Sequence, residues 1–379
     1  MDRLTQLQAL LITDPGNQLL SIDLFDGLIT EGRYDEGLAL AATLDDAVRV
    51  TPAIRLRVAR CALSTSRTAI AVDELTAAMA AGDTSPVVRH DLAFALFCNG
   101  QREQAEEVLA PVVVLSDEIP EIGLLHARLL FHRGDLDAAG LVVDVVTSSY
   151  PQRADAWGLA ALIHLDRNAY DVAADAASRA LARDPHQPDA LLARGGLALN
   201  QGDASTALSC FDEVASRSSV NGRALGGAGE AHLLAGDPKA ARSLLERATI
   251  LQPGHLGTWH ALAWTQLLAG DVTLAAASFR MALDVDRNFG ESHGGMAIVY
   301  ALEGKTDLAD QAIRRARRLD PDGNNARYAE SLLLEAAGQS VDADAILRQA
   351  VARQAKGARL PAGDLVARLR TLMAGPGHD

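Results

Sequence analysis

The feature that most constrains this chain is a turn-forming residue that returns every 34 positions without an insertion. Eight of the ten positions are glycine and one is asparagine, residues that tolerate the left-handed backbone conformation closing a helix, and only Ser66 is a poor choice. The ten positions are Gly32, Ser66, Gly100, Gly134, Asn168, Gly202, Gly236, Gly270, Gly304 and Gly338. The 379 residues are therefore expected to form a repeat array rather than two or three globular domains.

Two more positions in each unit carry mostly small side chains, five residues after the turn and seven before it. The first set is Gly37, Ala71, Ala105, Ala139, Ala173, Ala207, Ala241, Ala275, Ala309 and Ala343. The second set is Phe25, Ala59, Ala93, Ala127, Ala161, Gly195, Gly229, Ala263, Ala297 and Ser331. Small residues on both sides of a turn let two antiparallel helices approach closely. An aromatic content of 4% also favours helices over sheets.

Polar and proline residues mark the helix ends. Aspartates directly after the turn are expected to cap the second helix of a unit, at Asp135, Asp203, Asp237 and Asp271. Prolines fourteen residues before the turn suit the first position of the first helix, at Pro52, Pro86, Pro120 and Pro188. Prolines seventeen residues after it end the second helix, at Pro151, Pro185, Pro253 and Pro321. Pro111 falls inside a second helix, where a kink or an early end is predicted.

This pattern resembles the tetratricopeptide repeat, a family with a 34-residue unit, most clearly in "WGLAALIHLDRNAYDVAADAASRALARDP" from Trp157 to Pro185. The resemblance implies an all-α, right-handed superhelical solenoid of about ten helix pairs. The predicted units are 18–51, 52–85, 86–119, 120–153, 154–187, 188–221, 222–255, 256–289, 290–323 and 324–357. Residues 1–17 are expected to form a capping half-repeat, and residues 358–379 a capping helix and tail.

Motifs for catalysis or cofactor binding fail on their context. "EGKT" at 303–306 lacks the glycine that a phosphate-binding loop needs five residues before Gly304, where Val299 stands. "GGAGEA" at 226–231 follows no strand, so a dinucleotide site is not expected. No metal-ligand spacing and no nucleophile motif occurs, so neither a metal, a cofactor nor an enzymatic activity is predicted. Three cysteines without CxxC spacing argue against a disulfide framework.

Charge and hydropathy limit the partners. The formal charge of −14 repels phosphate backbones, and "RRARR" at 314–318 is interpreted as a solvated outer helix face rather than a nucleic-acid patch. No apolar run is long enough to cross a bilayer, and the N-terminus lacks the features of a secretion signal. A cytoplasmic location is predicted.

The family resemblance places the first helix of each unit along a concave channel, and residues ten, six and two before the turn share one face of that helix. The candidate partner-binding residues are Arg60, His90, Phe94, Phe97, Arg128, His132, Glu230, His260 and Trp264. Trp264 and His260 are predicted to form an exposed anchor, beside a floor left bare by Gly226 and Gly294. Phe94, Arg128 and His132 are predicted to form a second contact region.

Three functions compete. The first is a non-enzymatic scaffold or adaptor that holds a segment of another protein in the channel, within a secretion, envelope or surface-assembly system. The second is an accessory subunit that presents a substrate to a separate enzyme. The third, a co-chaperone gripping a C-terminal carboxylate, is disfavoured because the family's co-chaperones use Lys and Asn on the first helices, and the chain has only Lys239, Lys305 and Lys356. The sequence identifies no partner.

Overall fold

The computed structural model describes residues 3–354, which contain helices and no strand. An N-terminal helix, α1 (Arg3–Thr13), precedes a series of helix pairs. The first helices of the pairs are α2 (Gln18–Thr30), α5 (Pro52–Ser64), α7 (Pro86–Cys98), α9 (Pro120–Arg133), α11 (Ala154–Asp166), α13 (Pro188–Gln201), α15 (Gly222–Leu234), α17 (Leu256–Ala269), α19 (Gly290–Leu302) and α21 (Asn324–Ala336).

The second helices follow the left-handed turns. They are α3 (Tyr34–Ala41) with the short α4 (Asp46–Arg49), α6 (Thr68–Ala80), α8 (Arg102–Leu109) with a 3-10 segment (Ala110–Leu115), α10 (Leu136–Ser149), α12 (Tyr170–Arg183), α14 (Ala204–Arg217), α16 (Pro238–Leu251), α18 (Val272–Val285), α20 (Thr306–Leu319) and α22 (Ser340–Gln354). All ten predicted turn positions have positive φ, including Ser66 at 60° and Asn168 at 59°. The turn register read from the sequence is confirmed.

The small residues on either side of each turn are buried, as their spacing predicts. The first pair shows how the exception is accommodated: Phe25 replaces a small residue and is fully buried. A Cβ on Gly37 would lie 2.6 Å from Cys61 Sγ and 3.7 Å from Phe25 Cδ1. Gly37 is therefore needed because Cys61 Sγ fills the space that a methyl group would take, while Phe25 would be in ordinary van der Waals contact with it.

Three of the four predicted aspartate caps form. Asp135, Asp203 and Asp237 each accept a hydrogen bond from the backbone N–H three residues on, at 2.9–3.2 Å. Asp271 stands at the same position without that bond, because its carboxylate accepts from Arg242 Nη1 at 2.7 Å. All four prolines predicted at a first helical position begin α5, α7, α9 and α13.

Two second helices are irregular. As predicted, α8 ends at Leu109, just before Pro111, and a 3-10 segment replaces its last turns. The break between α3 and α4 was not foreseen. There Arg49 donates to both carboxylate oxygens of Glu74 on α6, and Arg55 Nη1 donates to Glu74 Oε2 at 3.0 Å. The Arg49–Glu74 pair ties the broken segment to the next repeat, and Arg55 belongs to the same helix pair as Glu74.

The chain divides into two compact units, the first ending at Arg167 and the second beginning at Asn168. In the first unit, α1 packs on α2 through Leu4 and Leu11, whose side chains are buried in the N-terminal core. The helix predicted for the half-repeat is thus present. In the second unit the largest described core lies among α17 to α22. The predicted C-terminal capping helix at 358–379 lies outside the described residues.

Candidate functional site

The predicted partner-binding residues lie on first helices, six in the first unit and three in the second. Arg60 is on α5, His90, Phe94 and Phe97 are on α7, and Arg128 and His132 are on α9; Glu230 is on α15, and His260 and Trp264 are on α17. The two groups have different environments. In the first unit Phe94 and His132 are exposed, whereas Trp264 in the second is packed between helices.

An open cleft of about 210 Å³ lies in the first unit where the first helices α7, α9 and α11 follow one another. We call it the α7–α9 cleft. It is lined by His90, Phe94, Glu121, Leu124, Leu125, Arg128, Arg153 and Asp155. Three of the nine candidate residues, His90, Phe94 and Arg128, are thereby brought together.

The aromatic wall of the cleft is a stacked pair on α7. The rings of His90 and Phe94 are nearly parallel, at an interplanar angle of 4° with centroids 6.4 Å apart. Phe94 keeps 39% of its surface exposed. Because two rings four residues apart on one helix support each other, Phe94 presents a fixed apolar surface to the cleft.

The carboxylate of Asp91 holds His90, and with it the stacked His90–Phe94 pair, in position. It lies 2.9 Å from His90 Nδ1 and accepts from Arg60 Nε, also at 2.9 Å. Burial by itself would raise the pKa of Asp91, but His90 and Arg60 outweigh burial and hold that pKa below its usual value. Arg60 therefore positions the wall through Asp91 and is not among the cleft-lining residues.

A clamp of opposite charges forms the far side of the cleft. Arg153 donates to Asp155 through Nε at 3.0 Å and Nη2 at 2.6 Å, and through Nη1 to Glu121. Burial opposes ionisation of both carboxyl groups, yet the Arg153 guanidinium keeps the pKa of each below its ordinary value. All three groups are consequently charged at neutral pH.

The other two candidate residues of the first unit sit beside one another on the last turns of α7 and α9. The rings of Phe97 and His132 are tilted, with centroids 5.1 Å apart. His132 is exposed and Phe97 is half-buried. This pair lies outside the lining of the cleft. It joins α7 to α9, the first helices of two adjacent repeats.

The predicted exposed anchor in the second unit is wrong. Trp264 is only 6% exposed and meets Phe279 and Tyr328 edge to face, with centroids 6.5 and 6.0 Å apart. His260 lies against Phe279 and Phe289, with Nε2 2.8 Å from Ser292 Oγ. Trp264 is packed in the core between successive helix pairs, whereas His260 and Glu230 are half-buried.

The predicted bare floor beside that anchor is wrong for the same reason. A Cβ on Gly294 would lie 2.7 Å from both Asn325 Cβ and the backbone nitrogen of Ala326. A Cβ on Gly226 would lie 3.2 Å from Thr258 Oγ1. These glycines allow close approach of the next first helix and leave no open floor.

Five cleft residues are not among the nine candidate residues: Glu121, Leu124, Leu125, Arg153 and Asp155. Glu121 and Asp155 are 34 residues apart and stand thirteen residues before their turns. That equivalence was available from the repeat alignment, because an acidic residue at one position of adjacent units predicts a line of carboxylates. The role of Arg153 was not available, since it lies outside the helix in the preceding loop.

Comparisons with known proteins agree with the helix pairs. Two family models, both described as "Tetratricopeptide repeat", match the chain, one at residues 124–188, 192–255 and 235–292 and the other at 86–111. Together they span about half of the chain. A search of curated proteins with the sequence found no match.

Solved structures of similar fold include two that span nearly all of the chain. The human IFIT1 dimer with m7Gppp-AAAA has 14% identity and a TM-score of 0.55, covering 90% of this chain and 91% of that one. The Cut9–Hcn1 hetero-tetramer of the APC/C has 14% identity and a TM-score of 0.53, covering 93% and 84%. At such identities the likeness concerns the fold alone.

Within residues 3–354, no His, Cys, Asp and Glu side chains converge in a group of three that would hold a metal ion. In the same part of the chain, no helix has both the length and the apolar composition needed to span a membrane. Cys61, Cys98 and Cys210 are free thiols.

Proposed function

The chain belongs to the tetratricopeptide repeat family, and from that premise we propose that it is a non-enzymatic scaffold whose α7–α9 cleft binds a segment of a partner protein. The observation that carries the proposal is the exposed Phe94 at an open cleft shared by three consecutive first helices. Aromatic residues are enriched at the centres of protein interfaces, where a few residues carry most of the binding energy.

A protein segment suits this cleft better than a nucleic acid. Two carboxylates, Glu121 and Asp155, accompany the two arginines that line it. The chain as a whole carries a charge of −14. Phosphate groups would therefore meet repulsion at long range and no excess of positive charge at the site.

The proposal is tested by capturing partners from cells that produce the protein, with the parent chain and with Phe94→Ala. Proteins that bind the cleft should be retained by the parent and lost from the variant. Leu141→Ala is the matched control, because Leu141 is 71% exposed on the second helix α10 of the same unit. Capture of the same proteins in equal amount by all three chains would contradict the proposal.

Affinity measurements with the captured partner then give the size of the effect. Loss of a buried aromatic contact commonly costs about 2 kcal/mol, so Phe94→Ala should weaken binding at least tenfold. A role in a secretion or surface-assembly system stays a prediction, and the identity of the captured proteins tests it.

A further inference from the structure

Resting on the proposed function, we infer that the α7–α9 cleft receives one neutral aromatic side chain of the partner segment. The binding determinant is thus a single Phe, Tyr or Trp rather than a charged or aliphatic residue. The volume of the cleft, the charges that line it and the hydrogen bonds that Arg153 already makes each support this choice.

The volume of the cleft sets the size of its occupant. At about 210 Å³ it is smaller than the pockets of about 300–1,000 Å³ that hold drug-sized ligands. It has room for one large side chain. The remainder of a bound segment would lie along the first-helix face outside the cleft.

The charges that line the cleft disfavour ionised occupants of either sign. Glu121 and Asp155 are both ionised at neutral pH and would repel an incoming carboxylate. Arg128 and Arg153 line the same cleft and would repel a Lys or Arg side chain. A charged occupant would give up its hydration and meet at least one like charge at close range.

The Arg153 clamp favours an aromatic over an aliphatic side chain. All three guanidinium nitrogens of Arg153 already donate to Glu121 or Asp155. These bonds fix the guanidinium and use three of its five N–H donors. Its flat face can then pack against a ligand, and that face attracts the π surface of a ring and gains nothing from a methyl group. An aliphatic occupant would only remove water from that face.

The His90–Phe94 pair on the other side of the cleft also favours an aromatic occupant. Phe94 is exposed and held parallel to His90, so a second ring can pack against it in an offset or edge-to-face arrangement. Leu124 and Leu125 supply the apolar part of the lining. An aromatic ring placed between Phe94 and Arg153 therefore meets a suitable partner on each side.

The experiment uses a phage-displayed library of random 12-residue peptides, selected on the full-length parent chain and counter-screened on Phe94→Ala. Among clones that require Phe94, we expect one aromatic position to be shared. Replacing that residue by Leu in the synthetic peptide should weaken binding at least fivefold, and replacement by Asp or Lys should weaken it further. Leu141→Ala should bind every peptide as the parent does.

A second variant tests the aromatic contact itself. Phe94→Leu keeps an apolar side chain on α7 but removes the ring, so it should narrow the difference between the aromatic peptide and its Leu version. Equal melting temperatures for the parent and both Phe94 variants exclude unfolding as the cause.

Other results overturn the inference. It is wrong if the Phe94-dependent clones share an aliphatic or charged residue, or if no clone depends on Phe94. The first result would leave the proposed function intact, because peptides would still bind the cleft. The capture experiment with Phe94→Ala judges the proposed function separately, since it does not require an aromatic anchor.

Discussion

Two histidine–aromatic pairs occupy the same repeat positions five repeats apart, yet the aromatic ring of one pair is exposed and that of the other is buried. His90 and Phe94 on α7 stand ten and six residues before Gly100, and His260 and Trp264 on α17 stand ten and six before Gly270. Phe94 is 39% exposed, whereas Trp264 is 6% exposed. A shared register therefore does not fix whether a side chain forms a surface or a core.

The difference in exposure between Phe94 and Trp264 comes from the repeat that follows each of them. After α7, the next first helix carries Leu124 ten residues before its turn; after α17, the equivalent residue is Gly294. Gly294 lets α21 approach until its backbone would touch a Cβ, which brings Tyr328 against Trp264. The small residue Gly294 thus allows the next helix to cover the first-helix face around Trp264 instead of leaving that face open.

The carboxylates thirteen residues before the turn show the same contrast. Glu291 accepts hydrogen bonds directly from the backbone N–H groups of Asn324 and Asn325, at the start of α21. Glu121 reaches the start of α11 only through the Arg153 side chain. Arg153, which lies between Glu121 and α11, and Leu124 keep the α7–α9 cleft open. The direct hydrogen bonds of Glu291 to α21, together with Gly294, close the equivalent face of α17 and α19.

The sharpest test of this comparison is to remove the two aromatic side chains in turn. Trp264→Ala should lower the free energy of unfolding by about 3–5 kcal/mol, because it deletes a large buried side chain and leaves a cavity. Phe94→Ala should cost less than about 1 kcal/mol, as expected for an exposed residue. Urea unfolding followed by circular dichroism measures both. Equal losses would show that the two positions are alike after all.

Sequence reasoning was strong for the fold and weak for the site. Turn residues and small residues act within one helix pair, so a single sequence reveals them by period, and even Ser66 adopts the required positive φ. Exposure of Trp264 depends on Gly294 and Tyr328 in later units, and the role of Arg153 depends on two carboxylates from adjacent units. Such contacts between units do not show as a pattern in any one of them.

Acid should act on the second unit through His260. Burial lowers the pKa of His260 to about 4, from an ordinary value near 6.5. The unfolded chain therefore binds a proton in this interval that the folded chain does not, and stability falls as the pH drops from about 6.5 to about 4, by at most about 3 kcal/mol. The His260→Gln variant should lack this part of the pH dependence. An unchanged dependence in the variant would place the effect elsewhere.

Gly294 gives a smaller effect that tests closure directly. A methyl group there would overlap the backbone of α21, so Gly294→Ala should destabilise the protein by about 1–3 kcal/mol, despite the higher helix propensity of alanine. Gly254→Ala is the control, because a Cβ at Gly254 would meet nothing within 4 Å. If both variants unfold at the same urea concentration, close approach at Gly294 is not what packs Trp264.

The smallest expected effect is a difference in sign between Glu121 and Glu291. Burial raises the pKa of Glu291 above its ordinary value, although backbone N–H groups partly oppose the rise. Its folded form therefore holds a proton more tightly than the unfolded chain does, and its contribution to stability decreases as the pH rises through that interval. The pKa of Glu121 is lowered through Arg153 in spite of burial, so its contribution increases with pH and is lost in acid.

Glutamine in place of each residue separates the two cases, because glutamine keeps the shape and removes the titration. Relative to the parent, Glu291→Gln should gain stability between pH 4 and pH 7, and Glu121→Gln should lose it, the latter by less than about 1 kcal/mol in view of solvent screening. Urea unfolding at a series of pH values measures both slopes. Slopes of the same sign would mean that the two carboxylates have equivalent surroundings, and the contrast between an open and a closed first-helix face would then rest on Leu124 and Gly294 alone.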